Sequence, residues 1–343
     1  MVLFYIYYLL LCQKHLILNN KNYYKGQISE TEAGIRLDLF LFNYFKHFSR
    51  TKIKKYILDS KILVNNKTAL PSFILKGNES IDYDFMVEIQ SNTIQPEKIK
   101  FDIIYEDEYL VVINKPSGLV VHPGNGISSG TLANALVFYF NELSNLNKNS
   151  PGIVHRLDKE TSGIMLIAKT DEMHMQLAKQ FESRIVNKVY RAIVWGNIED
   201  SGVIKGLISR DKKNRTIFSL QNKGRDSETS YKQLNYFNPL SYVELYPKTG
   251  RTHQIRVHLQ SISNPIICDK SYGGGVDKIK SFHISHKNRL QALLSSINRV
   301  ALHAYSIEFV HPITNKKNKF FAPLPNDFDY ILNILKESQN DKN

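Results

Sequence analysis

Cysteine is scarce in this sequence, with two residues, Cys12 and Cys268, among 343. So few thiols exclude a disulfide framework and a cysteine-based zinc site, and they fit a reducing compartment. A Gly-rich phosphate loop, H-E-x-x-H and G-x-S-x-G are also absent. Their absence argues against nucleotide-dependent, zinc-dependent and serine-hydrolase chemistry, and it leaves a cofactor-free carboxylate as the best chemical candidate.

Long hydrophobic runs are missing as well. The apolar stretch Val2–Leu11 is interrupted by Gln13-Lys14-His15, and it is shorter than the ~20 apolar residues that a membrane-spanning helix needs. It also lacks the basic start of a secretory signal. We therefore expect residues 1–33 to be a leader, with three interpretations open: an upstream start-site error, a targeting segment to an organelle, or a disordered or loosely packed segment.

Acidic residues are the minority among the charged ones. Lys and Arg number 45 against 32 Asp and Glu, which gives a net charge of +13. This excess favours a polyanionic partner, nucleic acid first and an anionic membrane second, although a basic surface can also serve solubility alone. The length is sufficient for two domains, the larger of them with a full core.

The segment from Gly152 to Ala168 reads G-I-V-H-R-L-D-K-E-T-S-G-I-M-L-I-A. Its apolar end predicts a buried strand over residues 164–168, and the apolar pair before the charges predicts a second, shorter one. Asp158 then lies in the intervening loop between Arg156 and Lys159, and these cations favour an ionised carboxylate. From the residues alone, the loop is either an inert solvated hairpin or the carrier of a reactive acid.

A second dense polar block, K-T-G-R-T-H-Q-I-R-V-H-L-Q, spans residues 248–260. Its alternation predicts a strand in which Thr252, Gln254, Arg256 and His258 share one face. The alternatives are a polar edge strand whose histidines satisfy backbone groups, or a metal site. The metal site is the weaker of the two because His253 and His258 fall on opposite faces of a strand.

Residues 34–89 read as a compact unit. An apolar periodicity predicts a helix ending near Tyr44, and Ser49 is a candidate N-cap for a second helix over Arg50–Ser60. The second helix carries four cations, Arg50, Lys52, Lys54 and Lys55. Asn65-Asn66-Lys67 predicts a hairpin turn. The basic helix is either a phosphate-binding surface or a solvated face.

A polar linker is predicted over residues 90–100, a large domain over residues 101–336 and a frayed tail over residues 337–343. Within the large domain we expect helices over 131–140, 171–183 and 328–336, and a strand over 188–196. The basic loop over residues 208–215 is either a solvated hairpin tip or a phosphate contact.

The blocks H-R-L-D-K-E-T-S-G and G-R-T-H-Q-I-R-V-H, with N-K-P-x-G-L-V-V-H-P before them, resemble the RluA family of RNA pseudouridine synthases. The order R-L-D-x₃-F, S-R-T-K-I-K-K-Y-I and I-L-V-N-N-K is similar to the α-L RNA-binding domain first known from a small-subunit ribosomal protein. Together the blocks cover residues 34–336. The resemblance implies an α+β pseudouridine synthase fold, with a mixed, mainly antiparallel sheet and flanking helices and loops around a central cleft, preceded by the small α-L domain.

The resemblance also implies roles for individual residues. Asp158 matches the nucleophile, Tyr190 the tyrosine that stacks on the target base, and Arg256 the arginine that pairs with the aspartate. Arg156 matches the arginine that helps to displace the base from its helix. Less specific matches assign Arg251 and His253 to RNA contact or loop support and Leu302 to the uracil pocket.

The implied partner is RNA, in particular large-subunit ribosomal RNA, because the motifs are most similar to the bacterial members acting on that RNA. The resemblance implies no cofactor, metal or membrane, and we expect a cytoplasmic monomer. Two rival functions stay open: a catalytically silent RNA-binding assembly factor, and a glycosidase or nuclease that uses Asp158. The sequence does not choose whether the aspartate attacks the sugar, attacks the ring or takes a ribose proton.

Overall fold

The computed structural model describes residues 23–45, 48–84, 94–124, 126–281 and 284–340. The chain divides into two compact units, Met1–Ser91 and Asn92–Asn343. The apolar run near the N-terminus lies outside the described residues. Within the described ranges, no helix is long and apolar enough to cross a membrane.

The first unit is a small antiparallel sheet with two helices. Its strands are β1 (Tyr23–Gln27), β2 (Ile62–Val64), β3 (Lys67–Thr68) and β4 (Ser80–Asp84), in the order β1-β4-β2-β3. The helices are α1 (Leu37–Tyr44) and α2 (Arg50–Leu58). Apolar side chains from all of these layers except β1 and β3 form one core, including Leu37, Leu41, Ile53, Ile57, Ile62 and Ile81.

Two local predictions for this unit are confirmed. The Ser49 hydroxyl accepts a hydrogen bond from the Lys52 backbone N–H at 3.2 Å, so it caps α2 as expected. Asn65 and Asn66 both have positive φ, at 51° and 59°, which is the conformation that a two-residue hairpin turn between β2 and β3 requires.

The prediction of a leader over residues 1–33 is wrong for its last third. Residues 23–27 form β1, which pairs with β4 from Tyr23↔Asp84 to Gln27↔Ser80. Ile28, which follows, is 3% exposed in the core. A strand held by backbone hydrogen bonds at a sheet edge needs little apolar periodicity of its own, so its polar composition concealed it.

The second unit is built on one large sheet. In chain order its strands are β5 (Asp102–Glu106), β6 (Leu110–Lys115), β7 (Ser162–Ala168), β8 (Asn187–Trp195), β9 (Ser201–Arg210), β10 (Phe218–Gln221), β11 (Arg225–Phe237), β12 (Leu240–Pro247), β13 (Leu302–Val310) and β14 (Lys317–Phe321). The spatial order is β10-β9-β11-β12-β8-β13-β7-β6-β5, with β14 on β13. Among these described strands the β7–β13 pair is parallel and the others are antiparallel, which confirms the predicted mixed, mainly antiparallel sheet.

Five α-helices flank this sheet in the described part of the unit. They are α3 (Leu132–Tyr139), α4 (Asp171–Glu182), α5 (Gln254–Ser261), α6 (Ile284–Ser295) and α7 (Asn326–Asn340). The helices predicted over residues 131–140 and 171–183 are α3 and α4. Because α7 continues through residue 340, the frayed tail predicted over residues 337–343 is wrong as far as that residue, and the last three residues lie outside the described ranges.

Strand β7 is the buried centre of the second unit. All seven of its residues are buried between β6 and β13. Gly163 permits the close parallel approach, because it has φ +117° and a Cβ at that position would lie 2.2 Å from the Ala304 carbonyl oxygen. Because β7 is buried and closely packed, it fixes the position at which the loop that carries Asp158 ends.

Two histidines without solvent exposure join layers of this unit. His303 on β13 contacts the Ser162 hydroxyl through Nδ1 at 2.9 Å, and His258 on α5 contacts Ser227 and Thr229 at 2.9 Å each. Burial lowers the pKa of each imidazole from 6.5 to about 4. Both rings are therefore neutral and fully hydrogen-bonded at neutral pH.

Acid should destabilise the second unit through these two rings. A histidine with a depressed folded pKa stabilises the protein fully above pH 6.5, and that stability is lost as the pH falls towards about 4. By linkage the loss reaches up to about 3 kcal/mol for each ring. Urea unfolding between neutral and acidic pH, followed by the fluorescence of Trp195, measures it, because Trp195 is the sole tryptophan and is buried in this unit. His258→Gln should flatten the pH dependence, and an unchanged slope would contradict the assignment.

Candidate active site

The seven site residues predicted in the large domain line one open cleft of the second unit. Its empty volume is about 630 Å³. The seven are Asp158, Tyr190, Arg256, Arg156, Arg251, His253 and Leu302. They come from the loop before β7, from β8, from the start of β13, and from the turn and helix that follow β12.

The polar block over residues 252–258 is a turn and a helix, so the prediction of a strand is wrong. His253 has φ 57°, in the left-handed region, and α5 begins at the next residue. All residues from Gln254 to Leu259 are buried. Because this helix is buried on all sides, its polar and apolar residues face different neighbouring elements and alternate along the sequence. The same alternation is typical of a strand, which explains the wrong prediction.

This helical geometry separates Arg256 from the polar residues at 254 and 258. Arg256 faces the cleft, whereas Gln254 and His258, one turn apart, both contact the Thr229 hydroxyl on β11 at 2.9 Å. Gln254 also accepts the Thr249 hydroxyl at 2.7 Å and the Arg251 backbone N–H at 3.0 Å. These bonds fix the turn before the helix against the sheet.

Arg256 is the electrostatic centre of the cleft. Its guanidinium makes two short hydrogen bonds to Asp269, at 2.6 Å and 2.8 Å, and one long contact of 3.5 Å to Asp158 Oδ2. Burial opposes its charge, but the hydrogen bonds and charge of Asp269 outweigh burial and raise the pKa of Arg256. The pair expected between Arg256 and Asp158 is therefore present, but Asp269 is the stronger partner.

Asp269 was missed by the sequence reasoning. Its side chain is 1% exposed and belongs to the turn after α5, together with Tyr272, whose ring lies 4.7 Å from the Arg256 guanidinium carbon. The available signal was chemical: a buried arginine needs a fully paired carboxylate, and an acidic residue stands in the adjacent C-D-K-S-Y-G-G-G stretch.

Tyr190 and His253 line the cleft together with the Asp158 carboxylate. Burial, followed by the charge of Asp158, raises the pKa of Tyr190, so its hydroxyl stays protonated. His253 Nε2 lies 4.0 Å from Asp158 Oδ1, and its Nδ1 lies 2.8 Å from the Tyr272 hydroxyl oxygen. The acid thus meets a phenol, an imidazole and a guanidinium in one cleft.

Arg156 and Arg251 also line the cleft. Arg156 is exposed, and its guanidinium lies 3.4 Å from His122 Nε2. Arg251 donates from Nε to the Asp226 carbonyl at 2.9 Å. Neither has a carboxylate partner among the described contacts, so both guanidinium groups remain available to an anion.

The buried Lys115 side chain holds the Asp158 loop in place. This role was also not predicted from the sequence. Its ammonium has no solvent exposure and donates to the carbonyls of Pro116, Leu119 and Lys159 at 2.8, 2.9 and 3.2 Å. Burial lowers its pKa to about 7, although the charge of Asp158 acts in the opposite direction. The loop is therefore tied to the end of β6.

Metal binding finds no support among the described residues, where no group of three or more His, Cys, Asp or Glu could hold an ion. The weaker alternative of a metal site at His253 and His258 is disfavoured by geometry, because both ring nitrogens of His258 are hydrogen-bonded to Ser227 and Thr229.

The four cations predicted to bind RNA lie on α2 of the first unit. Asp38, which has no solvent exposure, accepts hydrogen bonds from Arg36 and Arg50, and Lys54 lies 3.8 Å away. Burial alone would raise the pKa of Asp38, but the two arginines outweigh it and lower the pKa. Lys52 instead packs on Phe48, 5.1 Å from the ring centroid, and Lys55 is exposed.

Comparison with known proteins agrees with this geometry. The profile of the RNA pseudouridylate synthase family matches residues 109–261, and that of the S4 domain matches residues 35–81. Ribosomal large subunit pseudouridine synthase D of Xanthomonas campestris pv. campestris is 36% identical over 310 residues, covering 90% of this chain and 92% of that protein. The protein of the same name from Escherichia coli (strain K12) is 35% identical over 310 residues, covering 90% and 93%.

A solved structure has a similar fold over about two-thirds of the chain. Human RNA Pseudouridylate Synthase Domain Containing 4 is 28% identical with a TM-score of 0.52, and it covers 68% of this chain and 93% of that one. The chain belongs to the family of RNA pseudouridine synthases, as the motifs predicted, and it carries an S4 domain before the catalytic unit.

Removing the second carboxylate should destabilise the second unit. Asp269→Ala leaves the buried Arg256 without its main partner, so we expect the free energy of unfolding to fall by roughly 3–5 kcal/mol. Urea unfolding followed by Trp195 fluorescence measures the change. Asp277→Ala is the control, because that carboxylate pairs with Lys280 on the surface and is 85% exposed. Equal effects of the two substitutions would contradict the role given to Asp269.

Proposed function

We propose that this chain converts uridines of large-subunit ribosomal RNA to pseudouridine, with Asp158 as nucleophile, Tyr190 stacking on the target base and Arg256 pairing with Asp158. The observation that carries the proposal is the shared cleft of these three side chains, which come from residues up to 98 positions apart. The names of the relatives, aligned over nine-tenths of this chain, support ribosomal RNA as the substrate.

The chemistry needs an ionised acid and little else. The bond from ribose C1′ to uracil N1 breaks, the base rotates, and C1′ joins C5, which then loses its proton. Substrate and product are isomers, so the reaction consumes no oxidant, phosphate or external nucleophile. Asp158 attacks the sugar, attacks the ring or takes a ribose proton, and all three routes require its carboxylate to be free to act.

The division of Arg256 between two acids supports this role. Asp269 takes both short hydrogen bonds, so Asp158 keeps a single long contact of 3.5 Å. That contact orients the carboxylate without a tight ion pair that would occupy its lone pairs. A buried arginine can thereby stabilise the acid without blocking it.

The base reaches this cleft by leaving its helix. Extrusion costs a few kcal/mol, and stacking on Tyr190 returns roughly 1–3 kcal/mol. The exposed guanidinium of Arg156 is suited to take the place of the base, while Leu302 lines the uracil pocket. Arg251 and His253 contact the RNA from the turn before α5.

The α2 cations Arg50, Lys52, Lys54 and Lys55 are proposed to bind RNA phosphates. Asp38 fixes the first and third of these groups, which lowers the entropy lost on binding. We further propose that the protein acts as a monomer in the cytoplasm, because each unit has its own core and ribosomal RNA is met there.

Asp158→Asn should abolish pseudouridine formation, because the amide keeps the shape of the acid and lacks its charge. RNA affinity should stay within a few-fold, since the phosphate contacts are untouched. Tritium release from carbon five of labelled uracil in ribosomal RNA measures activity, and a filter assay measures affinity. Full activity in the variant would end the nucleophile assignment. Inactivity of the wild type on this RNA would favour an assembly factor, and free base or cut strands would favour a glycosidase or nuclease.

Lys52→Gln/Lys55→Gln should weaken RNA binding and reduce its salt dependence. Each lost phosphate contact lowers the slope of log K against log salt by about 0.7–0.9, so the pair should lower it by up to about 2. Binding measured between about 50 and 200 mM salt tests this. Lys98→Gln/Lys100→Gln is the charge-matched control, as both lysines are exposed outside the first unit. A slope equal to that of the wild type in the α2 variant would reject the proposed phosphate contacts.

A further inference from the structure

The hydroxyl of Tyr272 is hydrogen-bonded to the His253 ring. Tyr272 has no solvent exposure, and its oxygen accepts the Phe218 backbone N–H at 2.9 Å. A buried hydroxyl also needs an acceptor for its own proton. Among the described residues, the group in position to accept it is His253 Nδ1, 2.8 Å away. Nδ1 must then be unprotonated, so the neutral ring carries its proton on Nε2.

The ring is held in this orientation from several sides. Its backbone is in the left-handed region with φ 57°, and its ring packs edge-to-face on Phe218 and Tyr272, with centroids 5.7 Å and 5.6 Å away. Nε2 lies 4.0 Å from Asp158 Oδ1 and in the lining of the cleft. That distance is too long for a direct hydrogen bond. The Nε2–H is therefore a donor that the protein leaves available beside the nucleophile.

The ring is neutral at neutral pH. The charged groups that face it are Asp158, Asp269, Arg256 and Arg156, two of each sign. Burial is the largest influence and lowers the pKa of His253 from 6.5. Neutrality matters because an imidazolium beside Asp158 would pair with the acid and compete with the substrate for it.

We propose that His253, fixed by Tyr272 as the Nε2–H tautomer, donates a hydrogen bond to a carbonyl oxygen of the target uracil. The proposal rests on the function proposed above and goes beyond RNA contact or loop support. When the bond from N1 to C1′ breaks, its electron pair stays on the base and spreads onto the two carbonyl oxygens. A fixed donor stabilises that charge more than it stabilises the neutral base, which lowers the barrier. His253 keeps its proton throughout, so the step needs no further acid.

The tautomer is tested first, without RNA and without any assay of activity. Two-bond proton–nitrogen correlation spectra of the full-length protein labelled with ¹⁵N-histidine distinguish the tautomers, and His253→Gln identifies the signals of this ring. We expect an unprotonated Nδ1 and a protonated Nε2 in the wild type, and loss of this preference in Tyr272→Phe. A protonated Nδ1 in the wild type would overturn the proposal.

The catalytic part is tested by single-turnover kinetics with enzyme in excess over a ribosomal RNA fragment. His253→Phe keeps a flat ring and lacks the donor, so its rate should fall about 10²-fold while RNA affinity changes little. His253→Gln should restore part of the rate, because its amide nitrogen reaches a position similar to that of Nε2. Tyr272→Phe should fall between the wild type and His253→Phe.

Tyr231→Phe is the matched control for the tyrosine substitution, since Tyr231 is 7% exposed on β11 and does not line the cleft. It should leave the rate unchanged. A full rate in His253→Phe would refute the donor role, and a loss confined to affinity would reduce His253 to an RNA contact. The spectra stand whatever Asp158→Asn does, so failure of the proposed function and failure of the tautomer assignment are distinguishable.

Discussion

The cleft depends on one buried guanidinium shared unequally between two carboxylates. Asp269 takes two short hydrogen bonds from Arg256 and is itself 1% exposed, while Asp158 keeps a contact of 3.5 Å and is 21% exposed. An unpaired guanidinium buried this deeply would destabilise the fold because it loses its hydration. Arg256 can therefore occupy this position only because Asp269 pairs with it. Because Asp269 already pairs with Arg256, Asp158 can lie next to this cation and still be partly exposed in the cleft.

The surrounding elements hold Asp158 and Arg256 in fixed positions relative to each other. The Asp158 loop is tied to β6 through Lys115 and ends on the fully buried β7. Arg256 is carried by α5, whose inner face is bonded to β11 through Gln254 and His258. Because both supports are buried and hydrogen-bonded, the Asp158 and Arg256 side chains are held close to each other.

Much of this was predictable, and the errors have physical causes. Local signals of short range succeeded: the Ser49 cap, the Asn65-Asn66 turn and the helices over residues 132–139 and 171–182 all follow from neighbouring residues. The prediction of a strand over residues 252–258 was wrong because burial on all sides removes the amphipathic contrast by which a helix is recognised. The prediction missed strand β1 because its partner β4 lies more than fifty residues away. Pairing at a sheet edge also uses backbone groups that every residue has.

The sequence by itself determined the family and the order of the two units, and its motifs predicted the acid, tyrosine and arginine that we propose act in the cleft, since motif residues keep their spacing along the chain. The tertiary structure alone decided how the charges are shared. Asp269, Lys115 and the Tyr272–His253 hydrogen bond depend on which groups meet after folding, and on how much water folding removes around them. Both are properties of distance and burial, which a linear order of residues does not contain.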